Sequence, residues 1–205
     1  MTFIVVAGPL TYYKEIISSY DKYSNIIVSS LDTDIEKINA IKEHFPLILV
    51  PFDFNPGKGN LNCQTRTTVA GLMKAKELGA THALKIRSDM VISDLPKFIK
   101  ILEAKSRISF LTWHTDGYLT DYLNYGPIDD MIEFWNVFEI NDNFAEKNLI
   151  DNFSKTKQDI FKNFKDISKH VDFFLGDLLR ENICIHWIKY NINVSEYYKH
   201  NCYLY

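Results

Sequence analysis

The stretch HALKIRSDMVISDL, residues 82–95, decides how the fold is read. Apolar and polar residues alternate from His82 to Arg87, which is the two-residue period of a strand. Arg87-Ser88-Asp89 then interrupts the pattern, and Ser93 can cap a helix that follows. A plain turn would use the same residues, because Ser and Asp favour turns and helix starts whatever the function. An arginine and a lone carboxylate at a strand end also suit a nucleotide or a metal at the carboxyl edge of a parallel sheet.

Upstream of this stretch, the short β-branched runs FIVVAG (3–8), NIIVSS (25–30) and LILVPF (47–52) alternate with helical periods over 12–20 and 34–45. That alternation predicts βαβ units and a parallel sheet. A further helix is expected over 64–78, with Val69, Leu72 and Met73 on one face and Gly79 as its stop. Downstream, a helix is expected from Ser93 to about residue 104, with Pro96 in its first turn and Leu95, Phe98, Ile99 and Leu102 inward. RISFLTW (107–113) reads as a fifth strand.

From 114 the pattern changes. Residues 114–127 read as a loop rich in Tyr, Asp and Gly, and helices are expected over 128–138, 143–153 and 171–182. A lysine-rich amphipathic helix is expected over about 155–169, and closing strands over 183–194. The expected fold class is α/β, a Rossmann-like, mostly parallel central sheet flanked by helices, with a more helical C-terminal half. Residues 1–205 read as one domain, with a nucleotide-binding half (1–113) and an acceptor-side half (114–205).

Composition narrows the function classes. The chain has 205 residues, 46% of them hydrophobic, enough for a sizeable core. Its net charge of −3, without a basic stripe, argues against nucleic acid as a partner. The scattered Cys63, Cys184 and Cys202 make neither a disulfide framework nor a zinc knuckle, and point to a reduced, cytoplasmic setting. No run approaches the length of a membrane span.

Ligands of open α/β sheets sit beyond the carboxyl ends of the strands. Those ends supply Ala7-Gly8-Pro9, Ser29-Ser30, Asp53, Arg87-Ser88-Asp89 and Trp113-His114. The set suits a nucleotide: small loop residues admit a base or ribose, carboxylates and hydroxyls bond ribose, and Arg87 meets a diphosphate. Lys85 shares the face of Arg87. Gln64 and Arg66, near a helix start, could meet phosphate or base. No GxGxxG and no GxxxxGK[ST] occurs, which argues against dinucleotide and P-loop sites. NPGKGN (55–60) reads as a flexible loop.

The block NLNCQTRTTVAGLMKAKELGATHALKIRSD (60–89) resembles the central block of the WavE-type lipopolysaccharide-synthesis glycosyltransferases, and is similar to small viral glycosyltransferase domains of the GT-A fold. Asn62, Gln64, Thr67, Thr68, Gly71, Leu72 and Ala75 carry the resemblance, followed by Lys85, Arg87, Ser88 and Asp89. YLTDYLNYGPIDDMIEFW (118–135) and AEKNLI (145–150) extend it, so that it covers roughly residues 60–150. The resemblance implies a GT-A-like enzyme that transfers a sugar from a UDP- or GDP-sugar to a glycan or lipid-linked glycan acceptor.

Such enzymes usually hold Mn²⁺ or Mg²⁺ at an Asp-x-Asp motif, to neutralise charge on the leaving diphosphate. Here Arg87 stands in place of the first Asp, so Asp89 alone is the expected metal ligand. Proton abstraction from the acceptor needs a carboxylate. Asp121, flanked by a tyrosine in a loop, ranks first and Glu146 second. Asp116, Asp129 and Asp130 remain further candidates. His114 and His186 could complete a metal shell, and Tyr118, Tyr122 and Tyr125 could stack a sugar ring. Two rival readings are a sugar nucleotidyltransferase and a degenerate, non-catalytic domain that binds glycan or protein.

Overall fold

A computed structural model describes residues 1–114, 118–137, 145–158, 161 and 164–199. The chain runs β1 (Thr2–Ala7), α1 (Tyr13–Tyr20), β2 (Ile26–Leu31), α2 (Ile35–Lys42), β3 (Leu47–Val50), α3 (Leu61–Glu77) and β4 (His82–Arg87). It continues through β5 (Met90–Ile92), α4 (Leu95–Glu103), β6 (Ser109–Phe110), β7 (Trp113–His114), β8 (Tyr118–Leu119), β9 (Leu123–Pro127) and α5 (Ile128–Trp135). The remaining elements are α6 (Ala145–Lys157), α7 (Phe164–Ile167), β10 (Asp172–Phe173), α8 (Leu175–Arg180), β11 (Ile185–Trp187), β12 (Ile192–Asn193) and α9 (Val194–Lys199).

Seven strands form the central sheet in the order β10-β6-β9-β4-β1-β2-β3. All its strand pairs are parallel except those of β9, which runs against β4 and β6. β1 lies between β2 and β4. The chain therefore winds outward one way through β2 and β3, then returns to the other side of β1. That reversal is a topological switch point, where the carboxyl ends of β1 and β4 leave a crevice between them.

The alternation in β1 explains why it is central. Ile4 and Val6 point into one apolar cluster, with Ile16, Ile41, Leu84 and Phe98. Phe3, Val5 and Ala7 point into a second cluster on the opposite face, with Leu72, Trp135 and Leu149. A strand buried on both faces needs an unbroken apolar run, and FIVVA is one. On the second face α3 lies close to the sheet: a Cβ on Gly71 would come within 2.4 Å of Val5 Cγ1 and 3.1 Å of Ser29 Cβ.

Several expectations are corrected. Asp94, not Ser93, caps α4, its carboxylate accepting from Lys97 N at 3.0 Å. Ser93 is occupied elsewhere, its Oγ accepting from Cys184 N at 3.1 Å. The segment read as a loop after residue 114 contains β9, a fully paired inner strand. Asn124, Gly126 and Pro127 disguise it as a turn, and tertiary pairing overrides that weak preference. The strand expected over 107–113 shrinks to Ser109–Phe110, with Trp113–His114 pairing instead with β8. The expected 155–169 helix is replaced by the end of α6 and the short α7, because Gln158 adopts a left-handed φ of 52° after Lys157. Val171–Asn182 opens with β10 before α8 begins. The closing strands expected over 183–194 are present as β11 and β12, and they form a small second sheet with the unexpected β5, in the order β12-β11-β5. Among the described residues no helix is long and apolar enough to cross a membrane.

Candidate functional site

At the switch point the chain builds a crevice of about 480 Å³. Its inner wall is the loop Ala7-Gly8-Pro9 facing Arg87-Ser88-Asp89, and α3 contributes Cys63, Gln64, Thr67 and Thr68. Tyr12, Leu31 and Phe52 supply an apolar side, and Lys189 closes the mouth.

Backbone contacts fix the two loops against each other. Gly8 N donates to Ser29 O at 3.1 Å and Ser88 N to Ala7 O at 3.1 Å. Ser88 Oγ donates to Pro9 O at 2.8 Å. Gly8 has φ of +134°, and a Cβ there would meet Ser88 Oγ at 2.6 Å. Only glycine satisfies both demands, so the residue is set by local geometry before any ligand is considered.

The end of β4 carries a closed polar cluster. Arg87 Nε donates to Asp89 Oδ1 at 3.0 Å, and Arg87 Nη2 to Asp89 Oδ2 at 2.8 Å. Trp187 Nε1 donates to the same Oδ2 at 2.8 Å. The indole arrives there because Ile188 N bonds Asp89 O at 2.9 Å, and β11 pairs with β5 immediately after the turn. Tyr122 and Trp187 each lie 5.1 Å from the guanidinium carbon, within cation–π range. Burial alone would pull the Arg87 pKa down, but the carboxylates of Asp121 and Asp89 outweigh it and hold it above its ordinary value.

Two residues back, Lys85 is buried to 2% exposure. Its ammonium donates to the backbone oxygen of Asp121 and sits 4.4 Å from the Trp135 ring. Burial drives its pKa down to about 8, against the opposing pull of Asp121. Asp121 itself is 2% exposed, and neither of its carboxylate oxygens has a hydrogen-bond partner. Asn124 Oδ1 and Trp135 Nε1 are also buried without partners, as are Gln64 Oε1 and Thr68 Oγ1 on the crevice-lining helix. Glu146, at the start of α6, is half-buried, and burial together with Asp121 raises its pKa. An unpaired buried polar group costs about 1–3 kcal/mol, so such a cluster calls for a functional account.

Of the residues singled out in the sequence, Ala7, Gly8, Pro9, Gln64, Lys85, Arg87, Ser88 and Asp89 all line the crevice. Ser29 and Ser30 do not; both are buried, and Ser29 faces the Gly71 position of α3. Arg66 is exposed and stacks 4.1 Å from the Phe54 ring, outside the crevice lining. Asp53 is exposed and likewise outside it. Asp121 and Glu146 sit beside Lys85 rather than on the crevice wall. Asp129 makes a surface ion pair with Lys76 at 2.6 Å. Tyr125 is a core residue stacked on His82, and Tyr122 packs on Arg87, so neither is free to stack a sugar. His186 faces a separate shallow groove beside Lys22. Asp116 lies outside the described residues, as do the side chains of His114 and Tyr118. Trp187 and Lys189 escaped sequence reasoning; each lies far along the chain from Arg87, and no local pattern marks it.

A resident divalent ion does not fit this donor set. Both oxygens of Asp89 are already engaged by Arg87 and Trp187. Among the described residues no group of three His, Cys, Asp or Glu side chains is placed to hold a metal ion. Compared with known proteins, the chain matches no family model and no curated relative.

Proposed function

We propose that the chain is a GT-A-like glycosyltransferase, moving a sugar from a nucleotide-sugar donor, a UDP- or GDP-sugar, to a glycan or lipid-linked glycan acceptor. The observation that carries this reading is the switch-point crevice, where the small-residue loop Ala7-Gly8-Pro9 faces cationic Arg87 and Lys85 beside a buried carboxylate without a hydrogen-bond partner among the described residues. The mostly parallel seven-stranded sheet supports the GT-A-like assignment. The free thiols of Cys63 and Cys184 favour a reducing, cytoplasmic setting.

In the reaction the acceptor oxygen forms a bond to the anomeric carbon. The bond from that carbon to the diphosphate oxygen breaks and its electron pair leaves with the diphosphate. The acceptor proton passes to a carboxylate, and the candidates are Glu146 and Asp121, which sit beside the crevice-lining Lys85. Burial and the neighbouring charge of Asp121 give Glu146 a higher proton affinity than an exposed carboxylate has. Arg87 and Lys85 offset the charge that grows on the leaving oxygens, in a site with little water to screen them.

A second reading, a non-catalytic domain that binds glycan or protein, is favoured by one observation: the Asp89 carboxylate is closed upon Arg87 and Trp187. Incubation with a panel of nucleotide sugars separates the two. The transferase reading expects one donor to be slowly hydrolysed, with the hydrolysis lost in Glu146→Gln. Absence of hydrolysis and of binding for every donor sinks it.

A further inference from the structure

We infer that the crevice holds a sugar-linked diphosphate with cationic side chains in place of a divalent ion, and that Asp89 positions Arg87 rather than binding metal. This rests on the nucleotide-sugar reading above. The argument compares which donors and acceptors around the crevice are spent. Asp89 accepts three hydrogen bonds of 2.8–3.0 Å across its two oxygens, all from Arg87 and Trp187. An incoming divalent ion would have to evict the guanidinium fork and then sit beside that guanidinium, two like charges in a poorly solvated corner.

The cations, by contrast, have donors to spare. Arg87 uses Nε and Nη2 on Asp89, and Nη1 makes no hydrogen bond among the described residues. Lys189, which lines the crevice, makes no ion pair among the described residues; its ammonium lies 5.0 Å from the Tyr190 ring. Among the described residues Lys85 makes a hydrogen bond only to a backbone oxygen. Three cationic side chains thus face the crevice against one carboxylate. A planar guanidinium matches phosphate oxygens in two-point contacts, and its direction is what Asp89 and the Trp187 indole fix. When the bond to the anomeric carbon breaks, the electron pair left on the diphosphate oxygen is met by Arg87 and Lys189. Asp89 and Trp187 are positioning residues, acting on the ligand through Arg87.

Calorimetric titration of the full chain with UDP and with GDP, in EDTA and in MnCl₂, tests this. One of the two nucleotides is expected to bind with the same Kd in both buffers, within about twofold. In either buffer Arg87→Lys should weaken binding about tenfold or more, and the exposed Lys189→Gln about threefold. Trp187→Phe, which keeps the ring but loses the N–H, should weaken it about threefold, and this effect should vanish in an Arg87→Lys background. A merely structural tryptophan would give the same loss in both backgrounds and would overturn the positioning role. Should Arg87→Lys fail to fold, Lys189→Gln carries the test. Binding that appears only with Mn²⁺ and is lost in Asp89→Asn overturns the inference while leaving the nucleotide-sugar reading intact. Failure of both nucleotides in both buffers overturns the two together.

Discussion

The rim of the crevice and the chamber beside it are built two residues apart on the same strand, yet they treat charge in opposite ways. At the rim Arg87, Asp89 and Trp187 satisfy one another. In the chamber Lys85 has a backbone oxygen and a ring, while the Asp121 carboxylate has no hydrogen-bond partner among the described residues. The rim pairs its charges as folded and presents a fixed guanidinium with Nη1 still unspent among the described residues. The chamber keeps an unfavourable charge arrangement that folding alone does not explain, the pattern expected where chemistry rather than stability set the residues.

The sharpest test of this contrast is pH. Burial pulls the Lys85 pKa in the folded protein down to about 8, from an ordinary lysine value of 10.5. Below pH 8 the lysine is charged in both states and its burial penalty is constant. Between pH 8 and 10.5 the unfolded chain keeps a proton that the folded chain has lost, so stability from this group rises with pH, by about 3 kcal/mol. Urea unfolding at pH 7.5 and 10.5 should therefore give a difference between the parent and Lys85→Met that changes by about that amount. A pH-independent difference would break the contrast between rim and chamber.

Next in size, Asp121→Asn should lower turnover about 100-fold, the usual range for losing a proton acceptor or its electrostatic support. Nucleotide affinity should tighten rather than weaken, because a carboxylate close to Lys85 and Arg87 is gone. Steady-state kinetics with parallel calorimetry reads both; loss of affinity equal to the loss of rate would move Asp121 from the chamber into the binding wall. At the rim, Gly8→Ala should destabilise the protein by about 1–3 kcal/mol, since it strains φ and crowds Ser88. Denaturant midpoints measure this. The smallest effect is expected far from both regions: Lys76→Ala removes an exposed ion pair with Asp129 and should change stability by less than about 1 kcal/mol.

How much of this was legible beforehand depends on how local the signal is. The run FIVVAG announces β1 and its glycine exit, because burial on both faces and a tight turn leave marks within eight residues. The Arg87-Ser88-Asp89 turn was likewise visible as a strand end, and the structure puts it on the crevice wall. β9 was not legible, since Asn124, Gly126 and Pro127 are held extended by pairing with β4, and Asn124 by β6 as well, rather than by their own preferences. The partners of Asp89 were equally hidden. Reading Asp89 alone suggests a cation ligand, whereas both its oxygens are engaged by the preceding Arg87 and one of them also by an indole 98 positions away. Ser29 was misplaced for a related reason: strand ends can be counted from sequence, but which face turns towards α3 is decided by the close approach at Gly71.

The bond from the Trp187 indole to Asp89 joins the middle of the chain to its last fifth. During synthesis the central strands β1 to β4 can pair while the segment that completes their shared pocket is still unmade. The arginine at the pocket's lip gains its fixed aim only once that late segment docks, so competence to hold an anion should arrive at the end of folding, and a chain cut short before Trp187 should fold its sheet and still lack a working pocket.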